Sequence, residues 1–288
     1  VGDAIDRLFL RILRPWLSNT TRSLLDLRWE YPLLRPTTAS DELPGLGLNA
    51  ATELPRFFET RVSEALGIEL NSSRQTLSHE VTALLGLPDD SINPLWMVSQ
   101  IAELEDLDPA VEALIYEGNA PLAATSALRC IVHGDLHGEN ILCTGSSEVP
   151  DLSLIDFETT HLGHVCKDFT RLESAILCRT FDWTDKERAA LTEWIADSLG
   201  GGNRALLDPG PLTGSVGLER ATTAVAKLRS VLRRCGQELW PITTRELAMA
   251  LLANALPYAR YGDQNRSVRL MALALGSVAA GSLLEQAT

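Results

Sequence analysis

His133-Gly134-Asp135-Leu136-His137-Gly138-Glu139-Asn140-Ile141-Leu142 is followed, after a turn-rich interval, by Leu154-Ile155-Asp156-Phe157-Glu158. Gly134 and Gly138 beside and between the two histidines make the first segment a loop rather than a helix. Leu128, Cys130, Ile131 and Val132 lead into it, so Ala127 to Val132 reads as a short buried strand or extended entry. Ile141-Leu142-Cys143 and Leu152-Ser153-Leu154-Ile155 are two short apolar runs on either side of Thr144-Gly145-Ser146-Ser147, the composition of a hairpin connection. Such a hairpin returns Asp156 towards Asp135 and Asn140.

Those three side chains suit one kind of chemistry. Asp135 and Asn140 are five positions apart, so a single rigid loop can offer a carboxylate to an attacking hydroxyl and an amide oxygen to a hard cation. Asp156, just after a strand, can supply a bridging carboxylate. Phosphoryl transfer asks for this combination: a positioned base, and oxygen ligands for magnesium that is shared with nucleotide phosphates and keeps much of its own water. With Asp135 already in the base position, His133 reads as a structural histidine bonded to the loop backbone. His137 and Glu158 are accessory candidates.

The segment resembles the catalytic and metal-binding motifs of aminoglycoside phosphotransferases, choline kinases and related members of the protein-kinase-like superfamily. Their pattern is His-Gly-Asp-x-x-x-x-Asn and then Ile-Asp, and the likeness runs from Ile131 to Glu173 with several elements in order. The resemblance implies that Asp135 is the catalytic base, that Asn140 and Asp156 are magnesium ligands and that ATP is the phosphoryl donor. It also implies that Asp168, in Gly163-His164-Val165-Cys166-Lys167-Asp168, is a buried carboxylate bracing the catalytic loop together with His133. A helix cap is a compatible role for Asp168. The continuation Lys167-Asp168-Phe169-Thr170-Arg171-Leu172-Glu173 also resembles the kinase-like ternary-complex-associated domains of bacterial conflict systems.

The upstream sequence departs from the family pattern. The first lysine in the chain is Lys167, and Lys186 and Lys227 are the others, so no lysine precedes the motif to pair with nucleotide phosphates. Gly45-Leu46-Gly47, close to Pro44, reads as a turn rather than a phosphate-covering loop. An N-terminal nucleotide lobe is therefore not evident. The chain starts at Val1 without methionine, and Gly2-Asp3-Ala4-Ile5-Asp6 lacks the basic and apolar regions of a signal peptide. The expectation is a piece of a longer protein, completed by an upstream lobe or a partner protein.

Around the motif the chain reads as mainly helical. Leu8, Ile12 and Leu13 give helical spacing from Asp3 to Leu17, and a loop follows from Tyr31 to Gly47. Helices are expected from Ala51 or Thr52 to Leu66, with Pro55 at the start and Gly67 at the end, then from Ser78 to Leu85 and from Asn93 to Leu104. After the motif they are expected at Cys166–Cys178, Asp185–Leu199, Leu218–Cys235, Thr244–Tyr261 and Ser267–Leu284. Gly200-Gly201-Gly202 and Asp208-Pro209-Gly210-Pro211 punctuate them. One continuous domain results: a helical part over residues 1–126, the catalytic loop, hairpin and bracing helix over 127–180, and a helical subdomain over 181–288. The fold class is α+β, mainly α, and the resemblance makes it a protein-kinase-like C-terminal lobe with a small central β-hairpin.

Composition narrows the function. With 25 basic against 38 acidic side chains the formal net charge is -13, which repels nucleic-acid backbones, and no basic cluster offsets it. Five cysteines without a Cys-x-x-Cys pair fit reduced thiols in the cytoplasm. Leu270 to Leu284 is too short to span a bilayer and reads as a buried helix, so no membrane association is expected. Four of the five histidines fall in one segment near Cys143 and Cys166, yet the loop spacing of His133 and His137 does not suit zinc. Gly134-Asp135-Leu136-His137-Gly138 also resembles a metallophosphoesterase opening, but the downstream motifs that complete two metal centres are absent. The expected activity is ATP- and magnesium-dependent transfer of phosphate to the hydroxyl of a small molecule. The alternative is a non-catalytic, partner-binding kinase-like module.

Overall fold

The computed structural model describes residues 2–18, 20–25, 30–31, 125–145, 150–199, 210–237, 242–260 and 265–285. The helices expected within 51–66, 78–85 and 93–104 lie outside these residues, as do the loop at 32–47, Ser146-Ser147 and the breaks at 200–202 and 208–209. What is described is mainly helical with two small antiparallel sheets.

The N-terminal helical stretch is not one regular helix. It runs as α1 (Gly2–Arg7), a π turn over Leu8–Ile12 and α2 (Arg14–Leu17). Pro15 has no N–H and its ring cannot follow a regular turn, so the chain closes a wide turn through Leu13 N–H to Leu8 O at 2.9 Å. The helix restarts with Pro15 in the first turn, where the missing donor is harmless.

Among the described residues five strands follow: β1 (Thr21–Leu25), β2 (Thr125–Val132), β3 (Ile141–Gly145), β4 (Pro150–Leu154) and β5 (His161–His164). β3 and β4 form the expected hairpin, with Ile141 opposite Leu154. β2, expected as a short strand or extended entry, is the middle strand of a second sheet ordered β1-β2-β5. β5 was illegible for a physical reason: His161-Leu162-Gly163-His164 has no β-branched residue and contains a glycine, which weakens strands. Gly163 is there for close approach, since a Cβ would stand 2.6 Å from Glu30 Oε1 and 2.8 Å from Val132 Cγ2.

The C-terminal helices are α3 (Cys166–Arg179), α4 (Asp185–Leu199), α5 (Val216–Gln237), α6 (Thr244–Ala255), α7 (Pro257–Arg260) and α8 (Arg266–Glu285). Short polar side chains start several of them. Thr184 with Glu187 and Thr243 with Glu246 form reciprocal caps, Ser215 Oγ accepts from Leu218 N–H, and Asn265 Oδ1 accepts from Val268 N–H. The helix expected from Thr244 to Tyr261 is divided at Leu256, because Pro257 cannot donate into the ladder and starts a new turn instead.

α3 lies at the centre, against α5, α6 and α8. Cys166, Phe169, Leu172, Leu177 and Cys178 face that core, and Phe169 stacks on Phe9 of the N-terminal stretch with ring centroids 4.1 Å apart. α6 is buried on all sides from Glu246 to Ala255, as a helix enclosed by others must be. Each fully buried leucine of this core contributes about 1.5–3 kcal/mol. No helix among the described residues is long and apolar enough to cross a membrane.

Candidate active site

β2 delivers the chain into the site, and α3 receives it there. Past Val132 the backbone turns at Gly134, whose φ of +87° suits glycine, and a Cβ at this position would meet Thr159 O at 2.4 Å. The amides on either side of the turn are both taken by Asp168 in the first turn of α3. His133 N–H donates to Oδ2 at 2.7 Å and Gly134 N–H to Oδ1 at 2.9 Å. Burial pushes the Asp168 carboxyl above its ordinary range, and the two amide bonds oppose that rise only in part.

The His133 side chain is buried and reaches the segment that carries Asp156. Its Nε2 lies 2.8 Å from Ile155 O, and a carbonyl only accepts, so Nε2 holds the proton. Nδ1 finds no hydrogen-bond partner among the described residues. Thr159 Oγ1 donates to His133 O at 2.9 Å, which closes the same link from the other side.

Asn140 sits in a single 3₁₀ turn, Gly138–Asn140, and is buried. Its Nδ2 donates to Asp135 O at 2.9 Å, and its backbone oxygen accepts from Ile155 N–H at 3.1 Å. With the amide nitrogen facing a carbonyl, the remaining polar atom of the side chain is Oδ1, the atom that a hard cation takes. Ile155 is thus gripped at both ends, its N–H by Asn140 and its C=O by His133. Asp156 follows at a φ of +62°, exposed, in the left-handed region that costs most residues energy and aspartate less.

Asp135 itself is about one-third exposed and ion-paired. Arg171 Nε donates to Oδ1 at 2.8 Å, and Nη2 stands 2.8 Å from the same oxygen. His137 Nε2 is 3.5 Å from Oδ2, while its Nδ1 is 3.8 Å from Glu139 Oε2. Glu139 continues outwards to Arg179 at 2.9 Å, an exposed pair of little energetic weight. Glu158 lies exposed in the turn after Asp156. Asp135, Asn140 and Asp156 each supply a side-chain oxygen, the donor type that a hard cation takes. Among the described residues no group of three or more His, Cys, Asp or Glu side chains is arranged to hold a metal.

Arg171 was missed by sequence reasoning. A signal existed, since residues 168 and 171 are three apart on one helix and share a face. A second network, also missed, surrounds Glu30. Its carboxylate receives Lys167 Nζ at 3.0 Å and His161 Nε2 at 3.0 Å, and Lys167 also donates to Glu30 O at 2.9 Å. Burial acts to raise the Glu30 carboxyl, but the His161 hydrogen bond and the Lys167 charge outweigh it and hold it at about 2. His164, buried alongside, has Nδ1 2.7 Å from the Tyr31 hydroxyl.

Compared with known families, residues 75–210 match the model of APH, the phosphotransferase enzyme family. That range contains the whole motif from His133 to Asp168. No curated protein and no solved structure matches the chain.

Proposed function

We propose, from the match of residues 75–210 to the model of the phosphotransferase enzyme family, that the protein transfers the γ-phosphate of ATP, with magnesium, to a hydroxyl of a small molecule. The observation that carries this reading is the single hydrogen-bonded unit made by Asp135, Asn140 and the Asp156 segment. Asn140 ties to Asp135 through its side chain and to Ile155 through its backbone, so the three functional positions move together.

In the proposed reaction Asp135 accepts or orients the proton of the attacking hydroxyl. Asn140 through Oδ1 and Asp156 through its carboxylate would hold magnesium. When bound, the ion neutralises charge on the transferring phosphoryl group. His133 and Asp168 hold the backbone around Gly134 so that Asp135 and Asp156 keep their relation. Positioning of this kind supplies most of the catalysis in phosphoryl transfer, because the protein has little covalent work to do.

The proposed fold assignment is a protein-kinase-like C-terminal lobe, completed over the nucleotide by an N-terminal lobe or a partner protein. A cytoplasmic location belongs to the same proposal: ATP is the donor, and Cys130, Cys143, Cys166 and Cys178 are free thiols.

The test uses the full-length protein. Asp135→Asn is expected to retain Mg-ATP affinity, measured by calorimetry, and to lower turnover on a panel of small hydroxyl compounds by about a hundred- to ten-thousandfold. Turnover equal to wild type would remove Asp135 from the chemistry and the reading with it.

A further inference from the structure

We infer that Arg171 is a positioning residue for Asp135, and that it leaves Oδ2 as the oxygen that takes the proton of the acceptor hydroxyl. The inference rests on the proposed phosphotransfer reading. Its basis is the asymmetry of the carboxylate's surroundings. Nε of Arg171 donates to Oδ1 at 2.8 Å and Nη2 stands 2.8 Å from the same oxygen, so the guanidinium engages Oδ1. Among the described residues, Oδ2 faces the His137 ring at 3.5 Å, beyond a strong hydrogen bond, and the Asp135 side chain is 35% exposed. A hydroxyl arriving from solvent therefore meets Oδ2.

The guanidinium is itself held. Its side chain is only 14% exposed, and its carbon lies 4.9 Å from the centroid of the Tyr258 ring in α7. The Tyr258 ring on one side and the Asp135 carboxylate on the other restrict the arginine. It also sits three residues after Asp168 on the same face of α3. One helix face thus grips three consecutive loop residues: Asp168 takes the amides of His133 and Gly134, and Arg171 takes the carboxylate of Asp135. The backbone and the reactive side chain share one rigid reference, as preorganised sites require.

A steady-state comparison on the full-length protein tests this, with release of phosphate from Mg-ATP to water as the assay and Asp135→Asn as the reference. Arg171→Met is expected to lower kcat on the order of a hundredfold, with KM for Mg-ATP changed less than about twofold. Arg171→Lys, which keeps one donor to Oδ1, is expected between Arg171→Met and wild type, and thermal unfolding of each variant reports whether the fold survives. If Asp135→Asn is inactive while Arg171→Met turns over at the wild-type rate, the inference is overturned and the reading of Asp135 stands. If Arg171→Lys loses as much kcat as Arg171→Met, with both melting well below wild type, Arg171 is only structural and the inference again fails. If Asp135→Asn retains wild-type turnover, the reading falls and the inference with it.

Discussion

Asp156 combines two demands in one residue, an exposed carboxylate and a left-handed backbone at φ +62°. Glycine would meet the second without strain and fail the first. Asp156→Gly is therefore expected to keep stability within about 1 kcal/mol of wild type while losing magnesium-dependent turnover. Asp156→Val, β-branched at a positive φ, is expected to cost about 1–2 kcal/mol of stability as well. Denaturant unfolding of the two variants checks this, and equal losses would show that the backbone carries no strain at Asp156. At this scale the sequence was informative, because Asp135, Asn140 and Asp156 stand out by residue type and spacing alone. The conformation of Asp156 was not, since nothing in Ile155-Asp156-Phe157 marks a left-handed residue.

Among the elements, α3 links the site to the core. Asp168 and Arg171 face the loop, while Glu173 meets Arg229 of α5 in a buried, two-point pair: Nη2 to Oε1 at 2.6 Å and Nε to Oε2 at 3.1 Å. Arg229 Nη1 also donates to Ser198 Oγ in α4, and its guanidinium lies 5.7 Å from the Trp194 ring. Both charged side chains are almost fully buried, so removing one strands the other. Glu173→Ala is expected to destabilise the protein by about 3–5 kcal/mol, and Glu173→Met with Arg229→Met to recover most of that loss. A loss below about 1 kcal/mol in the single variant, read by urea unfolding, would contradict the pairing. The helices themselves were legible. Asp185–Leu199 falls where its Thr184 cap and helical spacing place it, and α3 and α5 extend only a few residues beyond their expected ends. Divisions at Pro15 and Pro257 follow from the missing proline donor.

Across the whole molecule, Glu30, His161 and Lys167 tie distant parts of the chain together. Thr159 O is 2.7 Å from His161 Nδ1 and Glu30 Oε1 is 3.0 Å from Nε2, so both ring nitrogens face acceptors and only the imidazolium serves both. The hydrogen bond to Glu30 raises the His161 pKa above its ordinary 6.5, against the opposing effect of burial. A raised folded-state value means that this stabilisation is fully present below pH 6.5 and is lost as pH rises through the folded value. Unfolding free energy is thus expected to decline as pH rises from 6.5 into the alkaline range, with a shallower decline in His161→Gln. Superimposable slopes for the two proteins would show that His161 does not carry the effect.

The sequence by itself determined which side chains the loop carries, the hairpin behind it and the run of C-terminal helices, because each depends on residues a few positions apart. Tertiary structure alone decided which groups surround those residues. The Arg171 guanidinium reaches Asp135 across 36 positions, and Lys167 reaches Glu30 across 137. β1 pairs with β2 across about a hundred residues, with Thr21 opposite Arg129. Local spacing records the turn of a helix and the order of a loop, but contacts between distant segments arise only when the core brings their elements together. The charge partners of Asp135 and Glu30 are therefore properties of the fold, while the oxygen-bearing side chains Asp135, Asn140 and Asp156 are already written in the chain.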